Sequence, residues 1–90
     1  MPPISDRILE LGLTLPEAPK PVAAYVPSVR TGSLLLVSGQ LPMERGSLRA
    51  VGRVPEQVSL EEAQQCARVC VLNGLAVAEA ALGSLDEIRR

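Results

Sequence analysis

One short stretch, residues 34–42, constrains the fold of this chain more than any other. It opens with four consecutive bulky apolar residues, at positions 34–37, which predict a strand buried on both faces or nearly so. The strand then runs into the small or polar residues 38–40, and Pro42 ends regular pairing. A buried strand with a polar exit is a common way to build one wall of a site, although a plain strand end followed by a loop explains the same pattern.

The sequence before and after this strand predicts an antiparallel hairpin and a third strand. Residues 23–30 read as a strand that Pro27 confines to a sheet edge, and residues 31–33 carry a hairpin turn signal. A second turn at residues 44–47 precedes a short strand at residues 48–51.

A long helix is predicted over residues 60–82. Ser59 and Glu62 have the spacing of a capping box, and Gly83 suits the left-handed residue that ends a helix. Small residues recur at steps of three and four on one face, which we expect to lie against the sheet: Ala63, Ala67, Cys70, Gly74 and Val77. The later turns are apolar nearly all round, so a partner chain or a further segment is expected to cover the second side.

Together these elements predict an α+β fold, in which an antiparallel β-hairpin or sheet carries a long helix packed on one face. Ninety residues make a single small domain, residues 1–90. Within it, residues 1–22 are expected to form a peripheral helix over residues 6–11, capped by Ser5, followed by a proline-rich arm.

The composition excludes several classes of function. The chain has no histidine and two cysteines, Cys66 and Cys70, so neither a His-based catalytic triad nor a complete zinc site can be drawn, and we expect no metal and no cofactor. The net charge is −1, with scattered basic residues and one aromatic residue, which argues against nucleic acid as a partner. No stretch is expected to span a membrane, and the N-terminus does not resemble a signal peptide, so a cytoplasmic location is expected.

Two motifs flank the central hairpin and carry a resemblance to a known family. Tyr25-Val26-Pro27 precedes the strand, Ser38-Gly39-Gln40-Leu41-Pro42 follows it, and Leu13-Thr14-Leu15-Pro16 lies upstream. This pattern resembles the Rid family of enamine/imine deaminases, also called the YjgF/YER057c/UK114 or L-PSP family. The resemblance runs from about Ile8 to the last residue, but the family's members are longer than this chain.

The resemblance implies the first half of the Rid, or chorismate-mutase-like, fold, with a new strand starting after residue 84. It implies hydrolysis of reactive imines such as 2-iminobutanoate and 2-iminopropanoate to a 2-oxo acid and ammonia, in a homotrimer. The substrate-pocket residues it implies are Tyr25 and Ser38, with Gly39 and Gln40 shaping the adjacent loop. The family's arginine and glutamate come from a second half, so the domain is expected to be incomplete at its C-terminus and no catalytic residue is assigned.

Two functions therefore stay open. The chain is either a full or partial imine deaminase, expected to be inactive as 90 residues, or a non-catalytic Rid-like module that binds small ligands or partner subunits. RNA cleavage is a third reading that the charge pattern disfavours. If the short chain were active, another arginine would have to replace the missing one, and Arg53, in the loop before the helix, is a candidate.

Overall fold

The computed structural model of the chain describes residues 3–20 and 24–90. Its elements confirm the α+β prediction, with a long helix beside two small antiparallel sheets. In chain order they are α1 (Ile4–Glu10), β1 (Ser28–Thr31), β2 (Leu34–Val37), β3 (Met43–Glu44), β4 (Ser47–Leu48), α2 (Leu60–Leu82) and a 3-10 turn (Leu85–Glu87).

The predicted hairpin is formed by β1 and β2, with Ser28 opposite Val37 and Thr31 opposite Leu34. The first strand is shorter than the predicted residues 23–30, because Pro27 lacks the amide hydrogen that pairing needs; residue 23 lies outside the described residues. The prediction that β2 is buried on both faces is wrong for this chain. Leu35 packs into the core, whereas Leu34 and Leu36 on the other face are 67% and 57% exposed.

The third strand differs from its prediction as well. Residues 48–51 do not extend the β1–β2 sheet; instead β3 and β4 form a separate two-stranded ladder across a tight turn. Arg45 and Gly46 occupy this turn with φ of 52° and 84°, the left-handed values that a two-residue hairpin of the primed type requires. The turn therefore lies where the sequence predicts it, but it pairs the residues immediately beside it.

Helix α2 has the predicted bounds and the predicted ends. The Ser59 hydroxyl accepts a hydrogen bond from the Glu62 amide at 3.1 Å, and Gly83 ends the helix with φ of 85°. The reciprocal half of the capping box is replaced, because the Glu62 carboxylate accepts from Arg49 Nε at 2.9 Å.

The contact face of α2 is rotated from the predicted small-residue face by about one residue. Val77 is buried and Gly74 faces Gln40, as expected, but Ala67 is exposed. The buried positions follow a neighbouring stripe: Val69, Asn73, Ala76, Val77 and Ala78. The rotation brings a polar residue, Asn73, into the interface.

The core joins the two ends of the chain. Ile8 from α1, Ala78 from α2 and Leu85 form one buried cluster. Helix α1 is therefore not peripheral, and it begins at Ile4, because the Ser5 amide and hydroxyl bind the Asp86 carboxylate instead of capping the helix. Residues 85–87, where the resemblance implies a strand, form the 3-10 turn.

Helix α2 is long and apolar enough to cross a membrane, judged by length and composition alone. This differs from the expectation that no stretch of the sequence could span a membrane. Core helices of water-soluble domains pass the same test, so this property does not by itself identify a membrane protein. Four charged residues lie along the helix: Glu61, Glu62, Arg68 and Glu79.

Candidate functional site

A small groove lies where the loop after β2 meets the segment before β1. Its lining includes Tyr25, Gly39 and Gln40, together with residues of the proline-rich arm and β3: Pro19, Lys20 and Met43. Three of the four predicted pocket residues are thus brought together. The groove is shallow, about 20 Å³, and the Tyr25 side chain is 44% exposed beside it.

Ser38, the fourth predicted residue, holds the groove together and is not part of its lining. Its hydroxyl donates to the Val26 carbonyl at 2.6 Å, and its amide donates to the Pro27 carbonyl at 2.9 Å. These two bonds fix the segment that carries Tyr25 to the end of β2. Because the hydroxyl proton is already used, Ser38 acts here as a positioning residue.

Gln40 connects the groove to helix α2. Its Nε2 donates to the Ser38 carbonyl at 3.1 Å, and its Cγ lies 3.7 Å from where a Cβ on Gly74 would stand. Gly39, by contrast, has open space around it: no atom lies within 4 Å of the position its own Cβ would take.

Asn73 supports the groove from behind and was not singled out from the sequence. Its side chain is 2% exposed, and its Nδ2 donates to the carbonyls of Leu41 and Met43 at 3.2 and 3.0 Å. Since a buried carbonyl without a partner is costly, these bonds fix the loop against α2. The signal that points to this role is a lone amide in an otherwise apolar stretch of helix.

Charges are distributed unevenly around the groove. Lys20 is the one charged side chain among the described residues that line it, so no described carboxylate is present to orient water. Arg53, the sequence-based replacement for a missing arginine, lies outside this lining, and its Nε is 3.9 Å from Glu56. Lys20 is therefore the cation that the structure offers.

Arg49, which follows β4 in the chain, connects β3 to α2 through two ion pairs. Its Nη1 is 3.2 Å from Glu44, and its Nε is 2.9 Å from Glu62. The hydrogen bond from Glu62 raises the pKa of the Arg49 guanidinium above its ordinary value. This ion-pair network attaches the β3–β4 turn to the first turn of the helix.

The two cysteines have the character of small apolar residues. Both are free thiols, and burial raises the pKa of the Cys70 thiol, with a smaller contribution from Cys66. A raised pKa lowers the thiolate fraction, which disfavours nucleophilic chemistry and metal binding. Within residues 3–20 and 24–90, no group of three or more acidic, cysteine or histidine residues is arranged to hold a metal.

Comparison with known proteins finds relatives of this chain by sequence and by structure. No protein-family model matches the sequence. A RutC family protein of Saccharolobus solfataricus is 39% identical over 72 residues, which are 80% of this chain and 51% of that protein. Protein TCP17 of Trypanosoma cruzi is 36% identical over 87 residues, which are 97% of this chain and 54% of that protein.

Two solved structures share the fold. One, from Shewanella oneidensis MR-1 and described as a candidate endoribonuclease, has a TM-score of 0.88 at 31% identity over 96% of this chain and 57% of that chain. Over the residues that it spans, the chain resembles RutC-family and YjgF-like proteins. The other structure, a protein of unknown function from Agrobacterium tumefaciens, has a TM-score of 0.79 at 46% identity over 94% of this chain and 50% of that chain.

This YjgF/RutC-like chain spans about half the length of the relatives it matches. These matches support the fold and the superfamily that the motifs at residues 25–27 and 38–42 suggest.

Proposed function

We propose that this chain carries one wall of the substrate pocket of an imine deaminase. The reaction is hydrolysis of 2-iminobutanoate or 2-iminopropanoate to the 2-oxo acid and ammonia. The observation that carries the proposal is the convergence of Tyr25, Gly39 and Gln40 on one groove in a YjgF/RutC-like chain.

The groove offers groups that fit a small imino acid. The Tyr25 ring presents an apolar face for a short alkyl chain, and its phenol offers a hydrogen-bond donor at the rim. The ammonium group of Lys20 attracts a carboxylate, and Gln40 offers an amide oxygen to a donor. Ser38 and Asn73 hold these groups in place without touching the substrate.

The described groove has no group that could activate the attacking water. Hydrolysis of an imine needs a carboxylate, or another base, to position the attacking water and accept its proton. No carboxylate lines the groove in the part of the chain that the structure describes. We therefore propose that the 90-residue chain is inactive alone, and that the second half of a longer relative supplies an arginine and a glutamate.

Assembly as a homotrimer is part of the same proposal. The outer face of the β1–β2 hairpin presents Val29, Leu34 and Leu36, each more than half exposed. Contact with further copies of the chain would remove this apolar surface from water. A non-catalytic module that binds ligands or subunits is the alternative, and it predicts binding without turnover in every form of the protein.

The deciding experiment joins this chain to the second half of its RutC-family relative and measures imine hydrolysis. The imine is generated by a dehydratase while 2-oxo acid release is followed. The joined protein should turn over, and Tyr25→Phe should lower its kcat/KM by at least about tenfold, since placed hydrogen-bonding groups contribute on this scale. Arg30→Gln, on the hairpin away from the groove, is the matched control. A joined protein that folds but binds the 2-oxo acid without turnover would favour the non-catalytic module.

RNA cleavage is a second candidate, because the Shewanella oneidensis relative is described as a candidate endoribonuclease. The charge distribution opposes it, since Arg49 and Arg53 are each close to glutamates and the net charge is −1. Incubating the chain with labelled single-stranded RNA tests it directly. Cleavage that Tyr25→Phe abolishes would replace the deaminase proposal.

A further inference from the structure

A second and larger cavity lies beside the groove, between the proline-rich arm, the β3–β4 turn and helix α2. Its volume is about 680 Å³, within the range of pockets that hold small organic ligands. Aliphatic side chains form much of its wall, among them Pro19, Met43, Val69 and Leu72. No aromatic ring lines it among the described residues, so the wall suits an aliphatic body.

Two cations and two carboxylates line this cavity. Lys20 and Arg45 line it, and neither takes part in a salt bridge within the part of the chain that the structure describes. Of the two lining carboxylates, Glu44 is bound by Arg49 at 3.2 Å, an arginine that it shares with Glu62. Lys20 and Arg45 are therefore the charged groups at this cavity that are available to bind an anionic ligand.

A polar side chain of helix α2 also lines this cavity. Asn73 lines it and is 2% exposed, and its Nδ2 is used by two backbone carbonyls. Its Oδ1 accepts no hydrogen bond from the described residues. No buried side-chain polar atom of the described residues lacks a partner, so this oxygen is open to solvent and can accept from a donor on a ligand.

Arg45 is held at this cavity in an uncommon backbone conformation. Its φ of 52° is left-handed, a region that is unfavourable for a residue other than glycine. Asparagine or glycine is preferred at this position of a primed hairpin turn. The long cationic side chain is therefore present where a smaller residue would suit the turn better.

We propose that this cavity binds an organic monocarboxylate with an aliphatic body. The carboxylate lies between Arg45 and Lys20, the body lies against Val69 and Leu72, and a donor on the ligand or a bridging water bonds Asn73 Oδ1. The site is distinct from the Tyr25 groove, although the two share Pro19, Lys20 and Met43 in their linings. It is larger than a four-carbon imino acid needs, so it points to a different ligand.

Titration of the 90-residue chain with sodium octanoate tests the proposal, by calorimetry and by amide chemical shifts. Saturable one-to-one binding is expected, with shifts at Arg45, Gly46 and Asn73. Arg45→Gln should raise Kd by about tenfold or more, the usual scale for losing a hydrogen bond to a charged group. Arg45→Lys keeps the charge and should largely retain binding, and Glu17→Gln should tighten it.

Arg30→Gln is the matched control, since it removes an exposed arginine of the β1–β2 hairpin and should leave Kd unchanged. Octylamine and 1-octanol have the same aliphatic body and should bind much more weakly than octanoate. The proposal is overturned if either binds as tightly, or if Arg45→Gln and Lys20→Gln both leave Kd unchanged. Failure of octanoate to bind, or shifts confined to Tyr25 and Gln40, would also overturn it. None of these results depends on imine hydrolysis.

Discussion

At the scale of single residues, Asn73 is the side chain on which the site most depends. Its Nδ2 satisfies two backbone carbonyls, those of Leu41 and Met43, which belong to the loop that forms the groove. Asn73→Leu keeps a similar volume but leaves both carbonyls without this donor. The Leu41 carbonyl keeps its bond from the Met43 amide at 2.8 Å, so the cost falls on one carbonyl, that of Met43, which loses its side-chain donor. The free energy of unfolding should fall by about 1–3 kcal/mol, the cost of one group left unpaired.

Urea denaturation followed by circular dichroism measures this loss. Gln64→Leu, at an exposed position of the same helix, is the control and should change stability by less than about 0.5 kcal/mol. Equal stability of the two variants would mean that the loop is held by other contacts.

The same scale shows how far the sequence predicts the site. Tyr25, Gly39 and Gln40 could be identified because they lie in two short motifs beside one strand. Asn73 stands out as a lone amide in an apolar stretch of helix, but its partners could not be predicted, since they are 30 and 32 positions away and become neighbours only when α2 packs on the loop. Lys20 likewise reaches the groove only through the path of the arm.

At the scale of elements, α2 is the best-predicted part of the chain because its signals are local. Ser59 and Gly83 mark its two ends through contacts with residues within one helical turn, and both act as expected.

Ser59→Ala removes the acceptor for the Glu62 amide and should lower the free energy of unfolding by about 0.5–2 kcal/mol. Ser33→Ala, in the β1–β2 turn, is a control without a helix cap to lose. If the two substitutions are equivalent in thermal denaturation, the cap does not stabilise the helix.

The strands were less predictable, because pairing depends on partners that lie elsewhere in the chain. The turn at residues 44–47 was recognised, yet the geometry of Arg45 and Gly46 closes β3 directly on β4. A local pattern cannot distinguish that ladder from a third strand added to the hairpin. The burial of β2 was hard to predict for the same reason. Its four apolar residues predict burial on both faces of the strand, but α2 covers one face only within the described residues.

At the scale of the whole molecule, the outer hairpin face is an apolar surface without a cover among the described residues. Val29 and Leu36 are cross-strand partners on it, and Leu34 extends it. We expect the isolated chain to self-associate through this face, because exposed apolar patches and open sheet edges favour contact between copies.

Sedimentation velocity at several concentrations measures this association. The double substitution Leu34→Lys and Leu36→Lys should shift the chain toward monomer while the helical circular dichroism is retained. Val71→Lys, which alters an exposed apolar residue of α2, should leave the oligomer unchanged. A wild-type chain that is monomeric at every concentration would contradict the proposed role of this face.

The most direct test of the account is the rate at which 2-oxobutanoate appears from enzymatically generated 2-iminobutanoate in the presence of the purified 90-residue chain. The chain has the groove but, among the described residues, no carboxylate beside it to activate water. The account predicts a rate equal to that of the uncatalysed reaction, with and without Tyr25→Phe. A rate above that background, lost in both Tyr25→Phe and Lys20→Met, would contradict it and show that the short chain contains a complete active site.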